Sequence, residues 1–248
     1  MRRSMAAAAV VGVLFLFSLV PLYAEVQRLS EEWEFYWNTW LFSEDFTDSE
    51  EIPRPDEVSP PESWQKRGYP HEGFATYRIV LPLDKLPEPL PPVMGMDLHS
   101  VYSAYRVYIN GRLVEQVGVP AKSAAEEISR IPRNTLFFST SDIEDQSGRL
   151  EIILHVSNHA YHIRSGMTSG PYLGNKTEIQ RQKHIRLAGD FIVIGSLFFM
   201  GLYHIIFFLL RRRDRVSLYL GLFTLDVAFR RFLVSGEKMA FTVLPDLS

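Results

Sequence analysis

Apolar residues bunch at the two ends of this chain and alternate with polar ones in between. At the N-terminus, Met1-Arg2-Arg3 precedes an apolar run from Ala6 to Val20, followed by Pro21-Leu22-Tyr23-Ala24. A short basic segment, an apolar stretch of that length and a small residue at the cut site predict an export signal over 1–24, cleaved after Ala24. The run is too short and too Ala-rich to read as a membrane span. Uncleaved, it would be an N-terminal anchor, and the residues after it would leave the cytoplasm all the same.

The second apolar run goes from Leu187 to Leu210 and is interrupted by Asp190 and His204. As a helix it would be roughly 36 Å long, against about 30 Å of hydrocarbon. It predicts a transmembrane helix over 187–210, with Asp190 in its first turn, within reach of the headgroups. The cluster Arg211-Arg212-Arg213-Asp214-Arg215 marks a cytoplasmic loop over 211–216. That orientation agrees with the export signal. A third apolar stretch, Ser217 to Val234, carries Asp226, Arg230 and Arg231. It predicts a second span over 217–235 returning outward, with its charges turned towards other helices. Residues 236–248 then read as a truncated tail.

Between the two ends, over 25–183, prolines such as Pro53, Pro55, Pro60, Pro61, Pro87, Pro89, Pro91 and Pro92 forbid long helices. Alternation with a period of two predicts strands. One runs from Ala75 to Leu81 with Tyr77, Ile79 and Leu81 on one face, and another from Val101 to Ile109. Asn110-Gly111 then predicts a two-residue hairpin turn, with Leu113 to Val117 as the returning strand. Thr135 to Phe138 and Leu150 to Val156 add two more, and Ser123 to Ile128 shows a weak helical period. Short strands separated by such turns predict an antiparallel β-sandwich ahead of the membrane helices.

Composition narrows the function. The chain has 248 residues, a formal net charge of −3 and no cysteine. Nucleic acid is excluded as a partner, because a phosphate backbone needs a basic face. Disulfides, thiolate nucleophiles, Cys-based metal sites and a lipidated N-terminal cysteine are excluded as well. No Gly-rich phosphate loop, HExxH or GxSxG is present, so the sequence supports no catalytic residue, cofactor or metal. His155, His159 and His162 lack metal-ligand spacing and read as solvated histidines. Glu126-Glu127 reads as solvated surface, and Asn175-Lys176-Thr177 fits a glycosylation acceptor that is common by chance. The segment Trp33-Glu34-Phe35-Tyr36-Trp37-Asn38-Thr39-Trp40-Leu41 puts Trp33, Phe35 and Trp37 on one strand face. Its rings either fill a sandwich core or form a stacking platform for a sugar, and Trp64 is open to the same two readings.

Taken in order, several segments resemble a known family. They are Trp33-Glu34-Phe35-Tyr36-Trp37, Gly73-Phe74-Ala75-Thr76-Tyr77-Arg78, Ser103-Ala104-Tyr105-Arg106-Val107-Tyr108-Ile109-Asn110-Gly111, Ile152-Ile153-Leu154-His155-Val156-Ser157-Asn158 and Gly170-Pro171-Tyr172-Leu173-Gly174. With the apolar helix that follows, the set resembles the bacterial seven-transmembrane receptors with diverse intracellular signalling modules. Their extracellular part is similar to the galactose-binding-like jelly roll of β-galactosidases and β-glucuronidases. The resemblance implies a mainly β antiparallel jelly-roll sandwich followed by transmembrane α-helices, held in the cytoplasmic membrane with the sandwich outside. It implies a non-enzymatic sensor whose partners are the bilayer and an extracellular small molecule, carbohydrate among the candidates, with a homodimer as a candidate assembly. The chain departs from the family in having two of the seven helices and no output module, so it reads as truncated. Candidate ligand contacts are Trp37, Trp40, Trp64, His159 and Arg164, aromatic or charged residues at strand ends and in loops. Two rival readings are the sugar-binding module of an exported glycoside-processing protein and a structural envelope domain that binds a protein.

Overall fold

A computed structural model describes residues 26–29, 33–48, 52–58, 62–98, 101–130, 135–141, 148–162 and 164–234. The expected export signal over 1–24 and the tail over 236–248 lie outside the described residues. Among the described residues, twelve strands precede two long helices: β1 (Gln27–Arg28), β2 (Trp33–Trp37), β3 (Asp56–Val58), β4 (Gly73–Pro82), β5 (Val93–Asp97), β6 (Val101–Tyr102), β7 (Ala104–Ile109), β8 (Arg112–Val117), β9 (Thr135–Ser139), β10 (Arg149–Asn158), β11 (Gly166–Met167) and β12 (Tyr172–Asn175). A short turn of helix, α1 (Asp45–Asp48), follows β2, and α2 (Lys176–Leu210) and α3 (Arg215–Val234) close the described chain.

The strands form a six-stranded antiparallel sheet in the order β3-β2-β4-β10-β7-β8 and a four-stranded one in the order β1-β12-β5-β9, with a small β11-β6 pair beside them. The two larger sheets share one core. Tyr77, Ile79, Leu81, Leu150, Ile152, Leu154, Val156, Tyr105, Val107 and Ile109 come from the first, and Met94, Met96, Leu136, Phe138 and Leu173 from the second. These are the period-two positions of each strand, so alternation in sequence becomes burial between layers. Ile109 pairs with Arg112 across the expected turn, where Asn110 and Gly111 have φ of 45° and 78°. Both central residues of a type I′ turn need positive φ, which Asn and Gly tolerate best. A register shift between Val107 and Tyr108 gives the hairpin a bulge.

Two expected elements differ. The strand foreseen from Val101 to Ile109 is broken at Ser103. There the Ser103 N–H donates to the Ser157 carbonyl at 2.8 Å, while β6 turns away to pair with β11. The helical period over Ser123 to Ile128 yields only a turn, because Ile128 is bridged back to Val119.

At the C-terminal end α2 and α3 form an antiparallel hairpin. Ser217, Gly221, Thr224 and Ala228 are the buried positions of α3, a stripe of small residues facing α2. A Cβ on Gly201 would lie 2.7 Å from Leu225, and one on Gly221 would lie 2.8 Å from Ile205. Bare glycine at both positions therefore lets the backbones approach, as small residues do in packed membrane helices. Asp190 is not in a first turn. It sits well inside α2 and pairs with Arg231 of α3 at 2.8 Å. Among the described residues α2 is the one helix long and apolar enough to cross a membrane.

Candidate functional site

The region where the sandwich meets α2 is built without a linker. The last strand, β12, ends at Asn175, and α2 starts on the next residue, ahead of the apolar run at Leu187. Asn175 is the N-cap. Its side chain accepts a hydrogen bond from the Thr177 N–H at 3.1 Å, an orphan donor of the first turn. The asparagine of the Asn-Lys-Thr triplet thus has a structural role of its own.

The first turns of α2 lie on the outer face of the four-stranded sheet. Ile179 is buried over Gly95, where a Cβ would lie 3.1 Å from it. The Lys176 ammonium sits 5.4 Å from the centroid of the Phe137 ring. Further along, the Arg186 guanidinium pairs with Asp97 at the end of β5, a carboxylate 2% exposed. Polar, apolar and ionic contacts thus fasten about three turns of helix to the sheet.

The outer face of the six-stranded sheet is covered as well. The segment from Thr39 to Thr47 crosses it, held where the Thr76 hydroxyl donates to the Thr39 carbonyl at 2.7 Å and accepts from the Leu41 N–H at 3.1 Å. Trp40 packs at 4.7 Å from His155 and 4.8 Å from Phe74, and Phe42 meets His155 and Tyr108. His155 is therefore fully buried in the central strand and not a solvated histidine. Its Nε2 lies 2.7 Å from the Leu41 carbonyl, which can only accept, so Nε2 carries the proton. Its Nδ1 is buried without a hydrogen-bond partner among the described residues. Burial therefore lowers its pKa to about 4, although the Leu41 carbonyl favours the charged form.

Beside these rings lies a polar cavity of about 360 Å³, lined by Ser43, Phe46, Arg78, Asn110, Arg149 and Glu151 among others. Arg78 bridges Glu34 at 2.8 Å and Glu151 at 2.6 Å, with Phe46 stacked 4.0 Å from the guanidinium carbon. Burial disfavours its charge, but the two carboxylates more than compensate and raise its pKa. The Glu151 carboxylate also accepts from the Ser43 hydroxyl.

The residues nominated from the sequence do not converge. Trp64 is 2% exposed and its indole N–H donates to the Tyr77 hydroxyl at 2.6 Å, so it is a core residue with no ring face left for a ligand. Trp37 meets it edge-on at 4.9 Å and stacks on Tyr69. Trp40 lies across the sheet from that pair, with Phe74 and His155. The His159 N–H donates to Glu127 at 3.2 Å, and Arg164 is exposed.

Sequence reading missed Glu127. It is not plain solvated surface, because its carboxylate accepts from the Ser103, Ser157 and Ser129 hydroxyls and the His159 N–H. Nothing in the Glu126-Glu127 pair distinguishes the two residues, since the three serines come from three separate segments. Metal-ligand proximity among the described residues occurs at His71, Glu72 and His162, at one end of the sandwich.

No family model matches the chain, and no curated protein does. Among solved structures, β-glucuronidase 2 of Bacteroides uniformis, bound covalently to a cyclophellitol carboxylate aziridine, is similar at 15% identity and a TM-score of 0.44, covering 60% of this chain and 17% of that one. A β-glucuronidase of Ruminococcus gnavus is similar at 14% identity and a TM-score of 0.41, covering 62% and 29%. A β-glycosidase of Bacteroides vulgatus is similar at 16% identity and a TM-score of 0.40, covering 60% and 20%. The chain spans less than a third of the length of each of these enzymes.

Proposed function

We propose that this chain is the sensing part of a bacterial membrane receptor of the seven-transmembrane type: a galactose-binding-like jelly roll outside the cytoplasmic membrane, followed by the first two membrane helices. The observation that carries this reading is the passage of β12 into α2 without a linker, braced by Ile179 on Gly95 and Arg186 on Asp97. A freely tethered domain needs no such bracing, whereas a sensor must pass a change in its sheets to its helices. A ligand shifts that equilibrium only if it binds one arrangement better than the other.

The helix surface supports the membrane part. Ile192, Phe199, Tyr203, Leu210, Phe223 and Phe229 are all more than 60% exposed on the hairpin. So large an apolar belt calls for lipid or further helices around it. In this reading α3 is the second span, with Arg231 neutralised by Asp190 of α2. The ligand is a polar small molecule of carbohydrate type, and the cavity lined by Arg78, Asn110 and Glu151 offers charged and amide groups for its hydroxyls.

The absence of cysteine makes the test direct. Single cysteines placed at Thr47 and at Arg212 of the full chain are exposed to a membrane-impermeant maleimide on intact spheroplasts. The receptor reading expects labelling at position 47 without lysis and at position 212 only after lysis; equal labelling at both overturns it. Thermal shifts of the full chain in detergent with neutral and acidic sugars then test the ligand class.

A further inference from the structure

We infer that His71, Glu72 and His162 form a binding site for a divalent transition metal of the zinc class. The site is independent of the receptor reading, since it rests on the sandwich alone. His71 and Glu72 immediately precede β4, and His162 lies in the segment after β10, so antiparallel pairing of these two strands brings both to one end of the sheet. The His71 Nε2 is 3.0 Å from the His162 Nδ1 and 3.3 Å from the Glu72 Oε1, and the third edge, His162 Nδ1 to Glu72 Oε1, is 4.0 Å. Ligand atoms about 2.0–2.1 Å from a tetrahedral zinc lie about 3.3 Å from one another, so the triangle needs only small side-chain rotations to close on an ion.

The donor set fits the same class. Two imidazoles and one carboxylate are borderline ligands that suit zinc, and they leave a fourth position. The side chains of His71, Glu72 and His162 are 41%, 51% and 72% exposed, so that position opens to water.

The frame behind the ligands is fixed, which separates this group from chance neighbours on a surface. Asn158, fully buried at the end of β10, donates from its amide to the His71 carbonyl at 2.7 Å and to the Tyr161 carbonyl at 2.8 Å. One buried side chain thus sets the spacing of the two ligand-bearing segments. Behind His162, the Gln65 amide donates to its carbonyl at 3.4 Å. A bound ion would lock the entry to β4 to the segment leading through β11 and β12 into α2.

The test uses the full chain in detergent, without a polyhistidine tag and stripped with EDTA. Titration with ZnCl2 in a calorimeter is expected to show one saturable equivalent, and Co2+ to give the intense visible bands of a four-coordinate site. His71→Ala and His162→Ala are each expected to weaken Zn2+ binding by about tenfold or more, and His159→Ala to leave it unchanged. Zn2+ should raise the melting temperature of the parent chain and not that of the His71→Ala/His162→Ala double variant. The absence of a saturable equivalent, or one that survives the double substitution, overturns the assignment. Matching melting curves in EDTA establish that the variants remain folded.

Discussion

Arg186 of α2 and Asp97 at the end of β5 form an ion pair that ties the first turns of the long helix to the sandwich. The carboxylate is 2% exposed and the guanidinium 30%, so the pair is only partly screened by water.

Replacing Arg186 by Ala removes a cationic partner from a buried carboxylate. The expected cost is about 2–3 kcal/mol, less than for a fully buried pair because the guanidinium reaches solvent. Asp97→Asn in the Arg186→Ala background should recover part of that loss. A double-mutant cycle from denaturation of the full chain in detergent measures the coupling, and strict additivity would show that the two groups do not interact.

Stability should fall on mild acidification because of His155. Its pKa is about 4 in the folded chain and near 6.5 when unfolded, so between those values the unfolded chain binds the extra proton. Its contribution is therefore complete above about pH 6.5 and is lost as the pH falls towards 4, reaching about 3 kcal/mol at most. His155→Gln, which keeps a donor for the Leu41 carbonyl, should flatten that part of the stability profile. Urea midpoints at intervals between pH 4 and 7 read the difference.

Glu127 and Glu126 should behave unlike each other. Glu127→Ala withdraws the acceptor shared by Ser103, Ser157 and the His159 N–H, at a cost of about 2–3 kcal/mol. Glu126→Ala, at an exposed position with no side-chain partner seen among the described residues, should stay within about 0.5 kcal/mol of the parent. Equal effects in chemical denaturation would mean that the serine cluster contributes nothing.

The helix hairpin depends on two glycines. Valine at Gly201 or Gly221 would press on Leu225 or Ile205 and should cost about 1–3 kcal/mol in unfolding from mixed micelles. Gly189, whose added Cβ would meet nothing within 4 Å, should accept Ala without loss and gain a little helix propensity.

The strands and the Asn110-Gly111 turn were legible because alternation and positive φ are local properties of sequence. The same alternation cannot reveal that β10 is covered on both faces. The cover comes from the Thr39 to Thr47 segment, more than a hundred positions from His155, as the contact between Leu41 and His155 across 114 positions illustrates. Likewise the sequence leaves Trp64 open between core and platform, and the fold decides it by setting the indole N–H on the Tyr77 hydroxyl. His71 and His162 lie 91 positions apart, and only the pairing of β4 with β10 makes them neighbours. The start of α2 was hidden for a different reason. Lys176 to Arg186 is polar by composition, and its helical state follows from the Asn175 cap and the sheet beneath Ile179.

The unbroken course of α2 from Lys176 to Leu210 makes spacing a matter of phase. One residue inserted near Ala188 would turn everything beyond it by about 100° and advance it by about 1.5 Å. The sheet-bound end and the hairpin end of the same rod would then face incompatible directions, whereas seven added residues would bring them nearly back into step. Any lineage that keeps both anchorages is thereby restricted in the lengths it can sample between them.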